Sequence, residues 1–284
     1  MNFFWHVLAV IGLTLPHALG YNVVFGRGKI FHFGPVAVSM SAAYAIVVVQ
    51  GATGSFAAGV LAAVVVTAAL SVFFSWLALR LDADGLGVLT IAAHLMMLTI
   101  VLNWQDVTRG ALGIPGIQRA AFLRDTSSFA CVALAVSAAW GLLLWRLDRG
   151  PFGRRLAALA EHGWHAQALG IDRWRVQTAA FLLAGCGALL TSMLFPQYLG
   201  LLHPNDYRFD GFIFLATAII AGGPGSVRGV ALSTALLVAL KEGMRLLPLP
   251  LAFIGPLRLA LFGVILFAAV AWRRDTLFPR ARRV

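Results

Sequence analysis

What most limits the fold of this chain is a succession of apolar runs, each close to the thickness of a bilayer. They lie at 7–25, 31–49, 56–79, 88–102, 129–145, 176–195 and 257–272. A helix needs roughly 20 predominantly apolar residues to cross the hydrocarbon core, and in lipid the backbone must satisfy its own hydrogen bonds. Hydrophobic residues make up 60% of the chain and charged ones 12%, outside the range of soluble domains. The expected fold class is all-α: a polytopic integral membrane protein forming one transmembrane unit over residues 1–284.

The runs at 129–145 and 176–195 are joined by a basic connector. It carries Arg146, Arg149, Arg154, Arg155, Arg173 and Arg175 against Asp148, Glu161 and Asp172. Translocating such a short loop is costly, so it belongs on the cytoplasmic side. Leu and Ala recur at helical spacing from Leu156 to Leu169, and Gly170 supplies a stop. The spacing predicts one short helix outside the lipid, presented to a cytoplasmic partner. Alternating the spans from there puts Arg27, Lys29, Arg80, Arg228 and the tail arginines 273, 274, 280, 282 and 283 on the same side. That orientation, N-out and C-in, implies about nine crossings, within an expected fold of about eight to nine transmembrane helices.

Near the C-terminus the pattern breaks. Phe212–Ala221 spans only about 15 Å as a helix, halts at Gly222-Gly223-Pro224-Gly225-Ser226, and resumes at Val227–Leu240. Either a re-entrant pair or two short tilted spans fits; the arginine distribution favours the spans. Gly222, Gly223, Gly225 and Ser226 are read as a structural turn, with presentation of half-helix ends to a solute as the competing role. Pro16 beside His17 predicts a kink in the first span, and Gly26 to Lys29 a tight basic turn. Asn103–Ser128 and Pro196–Asp210 read as polar loops. The first run is read as a retained span rather than a removable signal. Cys131 and Cys186, inside apolar runs, are expected to be buried packing residues.

The net charge of +11 is what a cytoplasmic face rich in arginine gives; with no basic run interleaved with aromatics, nucleic acid is not the expected partner. None of GxxxxGK[ST], HExxH, CxxC or GxSxG occurs, so no cofactor, no metal and no hydrolytic site is expected. An integral-membrane enzyme using His32 or His94 would need paired groups at i, i+4, which are lacking. Acids are scarce within the apolar runs, which disfavours a self-sufficient ion-coupled carrier. Polar groups at membrane depth need partners or water, which makes Asn22, His32, His94 and Asn103 candidate pathway residues; bonding to a neighbouring helix is the plainer alternative.

Several ordered motifs carry a resemblance. Residues 21–44, YNVVFGRGKIFHFGPVAVSMSAAY, contribute Asn22, Gly26, Gly34, Ala37, Ala43 and Tyr44. Leu102-Asn103-Trp104 follows, with Thr108, Gly110, Gly113, Ile114 and Gly116. Next come Gly153-Arg154 through Glu161 to Ala168-Leu169-Gly170-Ile171, and finally Tyr198-Leu199-Gly200, Pro204 and Gly222 to Ser226 with Gly229. In this order and spacing the chain resembles the permease subunit of ATP-binding-cassette importers of the branched-chain amino acid type, nearer the M-type than the H-type subunit. The resemblance implies a multi-pass protein of a bacterial-type inner membrane, surrounded by lipid. Its implied partners are cytoplasmic ATPase subunits, a second permease chain and an extracytoplasmic solute-binding protein. The cargo would be branched-chain amino acids or a related small solute such as an amide, urea or an organic acid; a non-transporting scaffold is the other outcome. It assigns Arg154, Leu156, Glu161, Ala168, Leu169, Gly170 and Ile171 to the ATPase-coupling segment. The chain departs from the family pattern at Lys29, Ile30, His32, Pro35, Leu95, Leu98, Ala157 and Ala160.

Overall fold

The computed structural model describes residues 3–246 and 251–272, and within them the chain is a helical bundle. Its long helices are α1 (Phe3–Asn22, prolonged by a π-helical turn Val23–Arg27), α2 (Pro35–Thr53), α3 (Phe56–Arg80) and α4 (Ala83–Asn103). After the short α5 (Gln105–Thr108) come α6 (Thr126–Arg149), α7 (Pro151–Glu161), α8 (Gly163–Ala168) and α9 (Arg173–Leu199). The chain closes with α10 (Phe209–Gly222), α11 (Val227–Gly243) and α12 (Leu251–Trp272). Seven of these are long and apolar enough to cross a membrane, by length and composition. The shorter α10 and α11 form a hairpin.

At the centre stands α1, packed against α6, α9 and α11. Its Pro16 cannot donate to the carbonyl of Gly12, and the Ser137 hydroxyl on α6 donates to that carbonyl instead. Thr191 on α9 donates to the Leu13 carbonyl at 2.8 Å, and the Trp140 indole to the Pro16 carbonyl at 3.2 Å. The proline thus leaves the Gly12 carbonyl to a neighbouring helix, and the Leu13 and Pro16 carbonyls beside it accept further bonds from α9 and α6. Small residues let these helices close up. A Cβ on Gly12 would sit 2.8 Å from the Ala133 backbone, and one on Gly187 would strike the Pro16 carbonyl.

The turn after α1 is not the tight basic turn expected. Beyond the π-helical stretch, Lys29 takes a left-handed conformation (φ 54) and the chain doubles back beside the helix it has just left. The Tyr21 hydroxyl donates to the His32 carbonyl at 2.7 Å, and the Phe33 amide donates to Thr90 of α4 at 2.9 Å. Residues 31–34, read from sequence as span, are therefore non-helical, and α2 begins only at Pro35, where proline suits a first helical turn. Side chains at that depth supply the partners that an irregular backbone needs.

One face gathers the ends of α1, α3 and α6, the start of α9 and the α10–α11 turn. Arg27 pairs with Asp148 at 2.9 Å, Asn22 accepts from the Gly225 amide at 2.9 Å, and Ser75 meets Thr178 at 3.0 Å. Since α10 starts beside Tyr207 on the far side and ends here, the glycine break is the tip of a hairpin that reaches the connector face. At the far side a two-residue antiparallel pairing, Ile114–Pro115 (β1) with Leu201–Leu202 (β2), ties the two longest loops together.

Three further expectations change. Pro196 lies inside α9, which continues to Leu199 and ends at Gly200 with φ 71. The connector forms two helices instead of one, because His162 leaves the helical conformation (φ −143, ψ 80) ahead of Gly163. Cys131 and Cys186 are exposed on the bundle, since a lipid-facing helix surface is as apolar as its interior. The tail arginines lie outside the described residues.

Candidate functional site

Exposed apolar and clustered polar side chains gather at two places, the connector and the opposite face. In the connector, α7 leaves α6 almost without a linker. Gly153 lies so close to the end of α6 that a Cβ there would strike the Asp148 carbonyl. Leu156 is 2% exposed and packs with Val24, Val176 and Phe181, so it anchors the element to the bundle and is not on its surface. Ile171 packs against the same cluster. Between these anchors the tip is bare. Trp164 is 88% and Leu169 84% exposed, and Arg154, Glu161, Ala168 and Gly170 are exposed beside them.

The tip ends in a Schellman arrangement. The Gly170 amide donates to the Gln167 carbonyl at 2.9 Å, and the Ile171 amide to the Ala166 carbonyl at 3.1 Å. Gly170 has φ 82, the left-handed conformation this cap demands. The sequence signal for the stop was thus geometrically sound.

The four candidate pathway residues do not converge. Asn22 is buried, tying the α10–α11 turn to α1; a Cβ on Gly26 would collide with it. His32 is buried, its ring 4.8 Å from that of Phe181, with Nδ1 accepting from the Gly34 amide at 3.2 Å. His94 is buried on α4, and among the described residues neither ring nitrogen has a hydrogen-bond partner. Asn103 is exposed at the end of α4 and donates to its own helix at Thr99. In the glycine turn, Gly223 and Gly225 have φ 95 and 84, Ser226 caps α11 by accepting from the Gly229 amide, and Gly222 lies against Gly229. That is close helix packing.

Sequence reasoning missed the polar network of the opposite face. Glu242, 1% exposed at the end of α11, meets Arg245 at 2.8 Å, His6 of α1 at 3.3 Å and Lys241 at 3.9 Å. The other nitrogen of His6 bonds the Tyr198 hydroxyl at 2.7 Å. Arg119 covers the Tyr198 ring at 4.9 Å and donates to the Gln197 carbonyl at 3.2 Å. Nearby Asp206 stands at the solvent rim. The surrounding protein still raises its carboxyl above the ordinary range, opposed by His203 and Lys241. The signal present was the charged cluster Lys241, Glu242 and Arg245 closing an apolar helix, which sequence alone reads as a helix end in the headgroup region.

Among the described residues no group of three or more His, Cys, Asp or Glu side chains is placed to hold a metal ion. Comparison with known proteins gives one consistent result. Residues 4–270 match the model of a family described as branched-chain amino acid transport system / permease component. The chain is 26% identical over 292 residues to the high-affinity branched-chain amino acid transport system permease protein LivM of Salmonella typhimurium. It is 25% identical over the same length to LivM of Escherichia coli. Each alignment covers 93% of this chain and 67% of the relative. A probable branched-chain amino acid transport permease protein LivM of Methanocaldococcus jannaschii is 26% identical over 166 residues, covering 57% of this chain and 48% of that protein. No solved structure matches the chain. With the family match running nearly end to end over an apolar helical bundle, this chain belongs to the branched-chain amino acid transport permease family and is a multi-pass inner-membrane protein.

Proposed function

We propose that this chain is the membrane-spanning part of an ATP-driven importer, moving branched-chain amino acids or a related small polar solute inward while a separate cytoplasmic ATPase supplies the energy. The observation that carries this reading is the connector. An apolar tip of Trp164 and Leu169 is out of place on a solvated loop and suits burial in a partner's groove. Arg154 and Glu161 offer charged contacts around it, and Ala168 and Gly170 permit close approach. Leu156 and Ile171 root the same element in the bundle, so a push on the tip is delivered to α1 and α9 as a displacement of packed helices. A second permease chain and an extracytoplasmic solute-binding protein complete the assembly. The chain itself performs no covalent chemistry in this scheme and calls for no cofactor.

The test is reconstitution with the partner chains in lipid vesicles, measuring leucine uptake and its coupled ATP hydrolysis. Leu169→Asp is expected to cut co-purification of the ATPase at least tenfold while the permease remains folded. Full coupling by that variant would remove the connector from the mechanism.

A further inference from the structure

The end of α6 and the start of α11 meet at the connector face, where Leu144 and Leu147 of α6 share an apolar cluster with Val227, Val230 and Ala231 of α11. Outside that seam lies a basic and aromatic group that the exposed tip of the connector does not include. The Arg149 guanidinium sits over the Trp145 indole, 4.1 Å from its centroid, and that of Arg228 approaches the same ring at 5.7 Å. Trp145 is half-buried and both arginines are exposed. Attraction to an aromatic face explains each contact singly. It neutralises neither charge, and two cations gathered at one ring repel each other. Among the described residues no carboxylate pairs with Arg149 or Arg228; the acid beside Arg149 in the chain, Asp148, is taken by Arg27 at 2.9 Å.

The surface leading to this pair is made for hydrocarbon. On α6, Leu142 and Trp145 precede Arg149 at spacings of three and four residues; on α11, Leu232 and Leu236 follow Arg228 at steps of four. Such spacings put each set on one helix face, and Leu142, Leu232 and Leu236 are all exposed. Two apolar stripes therefore climb the outside of the bundle, and each ends in an arginine at the connector face. They converge there, since both arginines reach Trp145. An indole at that height is at home among lipid headgroups.

We propose that the α6–α11 seam holds one anionic phospholipid of the leaflet on the connector side. The headgroup phosphate takes the two guanidiniums, whose planar forks match its oxygens, and removes the repulsion between them. Its acyl chains lie along the leucine stripes. A free phosphate offers the same anionic chemistry but nothing to cover the leucines, and a zwitterionic lipid brings an ammonium group toward two cations; the combination of stripe and charge selects an anionic lipid. The bound headgroup links α6 to the first turn of α11, beside the glycine turn that Asn22 ties to α1, and so braces the tip of the α10–α11 hairpin from the lipid side. The site is independent of the import reading, because binding requires neither solute nor ATPase.

The test uses the full chain, purified without partner chains in a mild detergent and given phosphatidylglycerol or phosphatidylcholine with the same acyl chains. Native mass spectrometry counts retained lipid, and thermal unfolding gives a second readout. Phosphatidylglycerol is expected to be retained at least fivefold more than phosphatidylcholine and to raise the unfolding midpoint. The double variant Arg149→Gln/Arg228→Gln, altering two exposed side chains, is expected to lose that preference while unfolding without lipid at the midpoint of the parent. Arg175→Gln, which removes an exposed arginine that already has Asp172 as its partner, is expected to keep it. Equal retention of the two lipids by the parent overturns the site, as does a preference that survives the double variant. A loss with Arg175→Gln as large as with the double variant overturns it too, since the effect is then one of overall charge. Glycerol 3-phosphate raising the midpoint as much as phosphatidylglycerol overturns the lipid in favour of a soluble phosphate.

Discussion

The connector face and the face opposite it, the outer face in the proposed orientation, are both built from the ends of the same helices, but they use charge in opposite ways. On the connector face, Arg154, Arg155, Arg173 and Arg175 are exposed, and the Arg175–Asp172 contact at 3.1 Å links two solvent-facing side chains three residues apart. On the outer face Arg119 is clamped over Tyr198, and Arg245 is bound to a carboxylate that water does not reach. Exposed arginines cost little to hold in place and contribute little stability. Arg245 itself is 54% exposed, but the carboxylate it meets is buried, and breaking that contact leaves a buried charge with less compensation. Under the proposed function the connector face is therefore the surface to be gripped, while the other face holds its charges in fixed internal contacts.

If that contrast holds, the largest effect on the connector face comes from an apolar anchor and not from an arginine. Leu156→Ala removes a fully buried side chain from the junction of α7 with α1 and α9, which costs about 2–5 kcal/mol in a packed core. Thermal unfolding in detergent should fall by several degrees, and in the assembled transporter ATP hydrolysis should continue with little uptake. Normal uptake would show that α7 does not transmit force through this contact. On the outer face the largest effect should come from charge. Glu242→Gln takes the negative charge from Arg245, Lys241 and His6, and charged hydrogen bonds of this kind contribute about 1.5–3 kcal/mol. The expected readout is a lower unfolding midpoint whose difference from the parent shrinks little in high salt, because the carboxylate is buried. A difference abolished by salt would make this network a surface feature like those of the connector.

The same contrast explains what was legible in the sequence. The spans were readable because bilayer thickness acts on local composition, and the connector stood out because its arginines interrupt that composition. Gly170 was readable because a helix stop is a local device. The outer network was not, since His6 and Glu242 are 236 positions apart and nothing near either one points to the other. His17 was read only as part of a proline kink, although its place on α1 brings it to the wall of a cavity between α1, α2, α10 and α11. The return of residues 30–34 alongside α1 was hidden for a related reason: an apolar stretch looks the same whether it is helical or held by Tyr21 and Thr90. Cys131 and Cys186 were misplaced because the hydrocarbon of lipid and that of a core select for similar residues.

Smaller effects sharpen the division within the connector itself. Gly170→Val meets open space, so no steric clash arises, but φ 82 is unfavourable for a branched side chain, at a cost of about 1–2 kcal/mol. Insertion and global unfolding should be nearly unchanged while uptake falls relative to ATP hydrolysis, because only the tip is reshaped. The weakest substitution is Arg27→Gln. Its partner Asp148 is 2.9 Å away, but both side chains reach solvent, at 36% and 28%, and exposed pairs contribute about 0–1 kcal/mol. A change of under about 1 kcal/mol in unfolding that disappears in high salt is expected, with uptake intact, since Asn22 and Gly225 still hold the α10–α11 turn to α1. A larger, salt-resistant loss would mean that this pair behaves like the buried network across the membrane, and the two faces would then differ in the number of their ion pairs and not in their kind.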